Sequence, residues 1–341
     1  MPAHANGFER PIGAAGDSCQ DERADAIPGP EAVWVIHCAA VLASARQTLR
    51  YAHPIVRSLR VHQWVKNVFV LAAVLFSKKA FTEPATLGVA MAAFALFCIA
   101  SGAVYLVNDV MDVDVDREHP VKRRRPVASG ALPIGAAIRA ATWLVGSSLL
   151  LAFLLDHQFA LVLASYLALN LLYSKLLKQI AFVDVLSISL GFVLRVVAGA
   201  LAVAVHISGW LVLCTFLLAA FLGFGKRKHE LESSGHDPTA SRSVLARYSP
   251  RLLDASLVGT AIATAVAYAL YTVDEHTVAA FGTDRLYLSV PLIVFGIGRF
   301  WQLVRRPHAE SPTEEMLRDV PFLLNIAAWG GLVVWLVSRS A

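Results

Sequence analysis

Charge is scarce in this sequence: Asp, Glu, Lys and Arg make up 16% of 341 residues, against 57% apolar residues. That balance excludes an ordinary soluble globular domain, in which about a quarter of residues are charged. Cysteine is scarce too. Cys19, Cys38, Cys98 and Cys214 show no C-x-x-C spacing, and two of them lie inside long apolar segments, so neither disulfides nor a zinc site are indicated. The apolar run from Glu31 to Ala45 lacks a preceding basic region and follows Asp21, Glu22 and Asp25, which argues against a signal peptide. It is also shorter than the roughly 20 residues of a membrane crossing. Residues 1–30 are polar and read as disordered. The chain is therefore expected to divide into an extension at 1–55, largely disordered or interfacial, and a membrane domain at 56–341.

What the chain does have is apolar length, with a mean hydropathy of +0.58. Hydropathy and segment length predict an all-α, polytopic membrane protein of about nine crossings. They fall near Trp64–Phe76, Pro84–Val107, Ile134–Leu155, Phe159–Tyr173, Phe182–Val205, Trp210–Phe224, Leu252–Thr272, Leu286–Val304 and Phe322–Val337. The net charge is +5. In a membrane protein such an excess points to positive-inside loops before any nucleic-acid partner, and no nucleic acid is expected here. One set of loops collects Arg57, Arg60, Lys66, Lys122 to Arg125, Lys175, Lys178, Lys226 to Lys228, Arg242, Arg247, Arg251, Arg305, Arg306 and Arg318. That side reads as cytoplasmic. The other side holds Lys78, Lys79, Arg285 and Arg339 with several acids.

Charge concentrates in one stretch, Gly102 to Gly130, which passes from the end of an apolar segment through Asp109, Asp112, Asp114 and Asp116 into the basic run Lys122 to Arg125. If the helix continues, Asn108, Asp112 and Asp116 share a face, with Asp109 three positions before Asp112, while Asp114 points elsewhere. Like charges at that spacing repel, so something must compensate. A hard divalent cation would, and Mg²⁺ is commonly held by one or two carboxylates plus substrate phosphates. The plain alternative is a set of juxtamembrane charges solvating a loop.

Three further clusters carry chemistry. Tyr173 and Lys178 lie at the exit of the fourth predicted crossing and can offer a hydroxyl and an ammonium to one phosphate; an aromatic-belt tyrosine with snorkelling lysines is the bland reading. In the fifth crossing Asp184, Ser187, Gly191 and Arg195 fall on one stripe, with Arg195 about 16 Å from Asp184 along the axis. An arginine at that depth needs a cavity and a partner. Asp184 stands either as that partner or as a metal ligand. The sixth crossing ends in Gly225-Lys226-Arg227-Lys228-His229-Glu230.

The order N-D-x-x-D-x-x-x-D at Asn108 to Asp116, followed by H-P-x-K-R-x-R-P, resembles the first aspartate-rich motif of the UbiA superfamily of membrane prenyltransferases. Ser101 to Asp109 (S-G-x-x-Y-L-x-N-D), Arg125 to Gly130 (R-P-x-A-S-G) and Arg60 to Asn67 (R-x-x-Q-W-x-K-N) look like its phosphoribosyl-transferring branch. The resemblance covers Leu59 to about Glu232. One departure stands out: K-R-K-H occupies the place where most members carry a second motif, D-x-x-x-D. One acidic and one basic cluster suit two separate anions, a metal-bound diphosphate and a phosphate bound directly by cations.

The resemblance implies a UbiA-type bundle around a central cavity, in a bacterial plasma membrane, with the site facing the cytoplasm. It implies transfer of 5-phosphoribose from phosphoribosyl pyrophosphate to decaprenyl or another polyprenyl phosphate, for cell-envelope arabinan synthesis. Asn108, Asp109, Asp112 and Asp116 would bind Mg²⁺, with Asp112, Asp116 and Arg195 catalytic. Lys66, Asn67, Lys122, Arg123, Arg125, Tyr173, Lys178, Asp184, Lys226, Arg227 and Lys228 would bind substrates. The lipid bilayer is the other partner, and a homo-oligomer is compatible with such a chain. An aromatic prenyltransferase using a prenyl diphosphate would share the first motif, and the missing second motif weighs against it. A transporter would be expected to show paired, interrupted helices in its two halves, and none are seen.

Overall fold

The computed structural model describes residues 51–72, 83–233, 244–306 and 312–339. Among these, the chain is helical throughout, with no strand. Helical residues 51–58 lead into a 3₁₀ segment, Val61–Leu71. The helices that follow are α1 (Pro84–Met111), α2 (Val113–Glu118), α3 (Ile134–Leu155), α4 (His157–Lys175), α5 (Val183–Ala202) and α6 (Gly209–Ser233). After them come α7 (Pro250–Val273), α8 (Glu275–Phe281), α9 (Val290–Val304), α10 (Pro312–Glu315) and α11 (Val320–Ser338).

Seven helical stretches among the described residues are long and apolar enough to cross a membrane: Ala85–Met111, Ile134–Leu155, Val183–Ala202, Gly209–Ser233, Pro250–Val273, Arg285–Val304 and Val320–Ser338. This is a multi-pass membrane protein. Of the two other predicted crossings, the fourth is α4, a full-length helix made more polar by His157, Gln158 and Asn170. The first is represented by the 3₁₀ segment, and residues 73–76 of it lie outside the described residues, as does most of the N-terminal extension. The tighter coil begins at Arg60, which adopts a left-handed conformation with φ 51°.

In a bilayer, lipid tails are as apolar as the side chains, so helices associate through close packing and buried polar contacts rather than water exclusion. α5 shows this: more than half of its 20 residues are buried, many of them small, including Ser187, Ser189, Gly191, Ala198, Gly199 and Ala200. It packs against α4, α6, α1 and the 3₁₀ segment. One core, around Phe97, Phe159, Leu163 and Tyr166, joins α1, α4 and the far end of α5 at Ala198. A second, around Phe221, Phe224, Leu257 and Phe300, joins α6, α7 and α9 to its near end at Val185. At Gly199 the fit is closest: a Cβ there would lie 1.8 Å from the Val70 carbonyl oxygen. Only glycine lets the 3₁₀ segment rest on α5. An apolar groove of about 460 Å³ between α1 and α3 is lined by Val107, Met111, Ile138 and Val145, with Thr142 its only hydroxyl. That hydroxyl bonds its own helix at the Ile138 carbonyl, so the groove presents no free donor.

Candidate active site

The acidic stretch is bent. α1 ends at Met111 and α2 begins at Val113, with Asp112 the cap of both at φ −98°, ψ 12°. Main-chain bonds still run through the junction, from Asp112 N–H to the Asn108 carbonyl (2.9 Å) and from Asp116 N–H to the Asp112 carbonyl (2.8 Å). Asn108, Asp109, Asp112 and Asp116 therefore stay together at one end of the bundle.

The compensation that the like-charge spacing requires comes from the protein's own cations. Asp109, 1% exposed, accepts from Arg60 Nη2 at 2.5 Å and lies 3.3 Å from Arg125 Nη1. The same Arg125 nitrogen donates to Asp116 at 2.5 Å, so one guanidinium bridges two carboxylates across the bend. Arg60 also stacks over Tyr105. Asp112 is different, with its side chain 42% exposed and a single cation, Lys178, at 3.4 Å. From the Tyr173–Lys178 cluster the structure thus brings Lys178 to the acidic end, together with Ser174, whose hydroxyl donates to Asn108 Oδ1 at 2.7 Å. Tyr173 is half-buried beside it, and Lys122 and Arg123 lie in the short 3₁₀ turn before Arg125. Asp114 faces outward to Arg117, as its phase on the helix predicts.

The stripe on α5 resolves into two unrelated sites. Asp184 and Arg195 do not pair, because the rise of the helix separates them along its axis. Asp184 is fully buried and lies 3.1 Å from Arg227 Nε on α6, while its other oxygen accepts from the Tyr248 hydroxyl and from Val185 N–H. Burial and that bond to Asp184 push the Tyr248 phenol above its ordinary pKa. Tyr248 in turn accepts from the N–H of Phe182, held at φ 67°. In this arrangement the groups around Asp184 are the protein's own: Arg227, Tyr248 and the Val185 N–H. Arg195 instead points into a neutral network: Nε donates to Asn67 Oδ1 (2.9 Å), Nη1 to the Gly191 carbonyl (3.0 Å) and Nη2 to the Tyr166 hydroxyl (2.8 Å).

The basic end of α6 also divides. Arg227, almost wholly buried, is paired with Asp184 and Glu230, and Lys228 with Asp254 and Glu232. His229 bonds the Val304 carbonyl at 3.1 Å. Lys226 stands 4.0 Å from Glu230 and is sensed electrostatically by Lys66, as are Arg195 and Arg60. The sequence reading left out Arg60, Ser174, Tyr166 and Tyr248. Arg60 stood in a motif already noted, whereas the tyrosines gave no signal beyond being polar atoms in apolar runs.

The donor set suits a hard cation, since Asn108, Asp109, Asp112 and Asp116 offer only oxygen. Yet among the described residues no three acidic, imidazole or thiol side chains converge to hold a metal by themselves. The residues fit a cation that brings substrate phosphates as its remaining ligands, with Asp112 the most accessible anchor.

Comparison with known proteins bears on this arrangement. The sequence profile of the UbiA prenyltransferase family matches residues 67–327. The decaprenyl-phosphate phosphoribosyltransferase of Corynebacterium glutamicum is 34% identical over 290 residues, covering 84% of this chain and 87% of its own. The enzyme of that name from Mycobacterium tuberculosis is 35% identical over 280 residues, covering 81% and 91% respectively. A solved UbiA homolog from Archaeoglobus fulgidus bound to GPP and Mg²⁺ shares the fold, with a TM-score of 0.61 at 18% identity, covering 84% of this chain and 99% of its own.

Proposed function

The chain belongs to the UbiA prenyltransferase family, and from that premise we propose that it is a membrane phosphoribosyltransferase acting on phosphoribosyl pyrophosphate and decaprenyl or another polyprenyl phosphate. The observation that carries this reading is the separation of two kinds of anion site. Oxygen donors gather at the end of α1, while Arg195, away from them, holds a positive charge among neutral partners. A diphosphate that travels with a metal and a phosphate that does not are the two anions such a site suits.

Mg²⁺, present in solved structures of the same fold, would supply charge neutralisation on the departing pyrophosphate, with Asn108, Asp109, Asp112 and Asp116 as its protein ligands. Lys122, Arg123 and Arg125 grip phosphate oxygens of the donor, and Lys178 joins them through its contact with Asp112. Lys66, Asn67, Arg195 and Lys226 surround the second anion, while Tyr173 stands next to Ser174 at the acidic end. Asp184, Arg227 and Lys228 act one step further out, by holding α5, α6 and α7 in register through their ion pairs. An oxygen of the lipid phosphate attacks the anomeric carbon of the ribose. The bond from that carbon to the pyrophosphate oxygen breaks, and pyrophosphate leaves with the electron pair. No general base is needed, because a phosphate monoester is already anionic at neutral pH. The basic loops support a cytoplasmic orientation for this chemistry.

The test uses detergent-purified protein, radiolabelled phosphoribosyl pyrophosphate, decaprenyl phosphate and Mg²⁺, followed by organic extraction. Label should enter the organic phase only with lipid phosphate present, and EDTA should prevent it. No extraction from folded protein would sink the reading and turn attention to prenyl diphosphates with aromatic acceptors.

A further inference from the structure

We propose that Arg195 is the centre of a metal-independent pocket for the phosphate monoester of the lipid acceptor, preformed by Asn67, Tyr166 and Phe192. The identity of the acceptor rests on the phosphoribosyl-transfer reading; the pocket rests on geometry. Arg195 is 7% exposed, within a membrane-spanning helix. Its hydrogen-bond acceptors are an amide oxygen, a main-chain carbonyl and a phenol, and the rings of Tyr166 and Phe192 lie 4.7 and 5.1 Å from its guanidinium carbon. Among the described residues it has no carboxylate partner. A guanidinium carries more N–H donors than these three acceptors use. A buried charge left in this state is costly, and in a membrane such residues mark a ligand path.

The surroundings reinforce the sign. Lys66, next to Asn67 in the chain, is affected by the positive charges of Lys226, Arg195 and Arg60, with Glu314 opposing them. Nor is the pocket improvised by one side chain. Asn67 is itself fixed, its Nδ2 donating to Ser101 Oγ at 2.9 Å and to Cys98 Sγ at 3.4 Å. The close approach at Gly199 is what brings the 3₁₀ segment, and with it Asn67, against α5.

Depth selects the ligand. Ser101 precedes Asp109 by eight positions on α1, which places the Asn67–Arg195 contact about 12 Å further into the bilayer than the acidic end. The acceptor's phosphate is bonded to a chain that resides in hydrocarbon, so it can occupy this depth without drawing the chain into water. The water-soluble donor meets the acidic end first. In this arrangement Arg195 touches the acceptor, and Asn67 and Tyr166 are positioning residues that aim it.

The experiment measures binding of geranyl phosphate, and separately of phosphoribosyl pyrophosphate, to the full chain in EDTA, by calorimetry, for wild type, Arg195→Met and Tyr166→Phe. Wild type should bind geranyl phosphate without metal, and Arg195→Met should weaken this by about 100-fold. Its ligand-free melting temperature should stay level or rise, since an apolar residue removes an uncompensated buried charge. Tyr166→Phe should raise KM for the lipid phosphate about tenfold while leaving KM for phosphoribosyl pyrophosphate unchanged. If Arg195→Met fails to survive solubilisation, the charge is structural and the proposal falls, unless Tyr166→Phe shows the KM split. Unchanged geranyl phosphate binding in Arg195→Met overturns it, as does loss of donor binding alone. Metal-free binding with no phosphoribosyl transfer would instead leave the pocket standing and defeat the reaction assigned above.

Discussion

At Asp109, shared by Arg60 and Arg125 and hidden from solvent, loss of the carboxylate leaves Arg60 without its acid and Arg125 with Asp116 alone. Asp109→Asn should therefore lower the melting temperature, by about 3 kcal/mol in stability, the low end for a broken buried pair. Asp112→Asn, with a part-exposed side chain and a single lysine at 3.4 Å, should melt with the wild type yet lose turnover by at least about 100-fold. Thermal melts on both variants separate the two; parallel melting would contradict the division. Much of this was legible in the sequence, because the spacing of the aspartates fixes which of them share a helical face. Their partners were not. Arg60 and Arg125 reach Asp109 only because distant segments meet at the end of α1, and Arg195 found neutral acceptors where the single stripe on α5 had suggested Asp184.

Seven of the nine predicted crossings were readable at the level of elements, since apolar length is a property of the local sequence alone. The 3₁₀ coiling of Val61–Leu71 was not, because it follows from a left-handed turn at Arg60 and from seating against α5. Gly199→Ala should push that segment off α5, cost about 1–3 kcal/mol by overpacking, and weaken Asn67's hold on Arg195. Raised KM for the lipid phosphate alongside reduced stability is the expected pair of changes, and a silent alanine would show that the contact is dispensable. Asp319 caps α11 by accepting from Phe322 N–H at 3.0 Å and binds both nitrogens of an Arg299 fork at 2.9 and 2.7 Å. The hydrogen bonds from Arg299 hold its carboxyl below the ordinary carboxylate range. Its folded pKa is depressed, so its stabilising contribution is present above the unfolded value and is lost as pH falls through the folded one. Melting temperature followed against pH should show an acid limb below the ordinary carboxylate range that Asp319→Asn flattens, at the expense of stability near neutrality.

Across the whole molecule, α5 joins two cores, and the charged ends of α1, α4 and α6 fall among loops of one sign. Maleimide labelling of Arg123→Cys and Asp284→Cys in sealed vesicles of known orientation should mark the first from the cytoplasmic face and the second from the opposite face, relative to the parent chain. Labelling of both from one face would overturn the assigned orientation. Arg195 also matters to the membrane as a whole. Any opening wide enough for a hydrated phosphate to reach it is a water path part of the way through the bilayer, and water paths conduct protons and sodium ions. A fixed guanidinium at that depth raises an electrostatic barrier to both. The charge suited to an anionic ligand thus also seals the bilayer against cation leak.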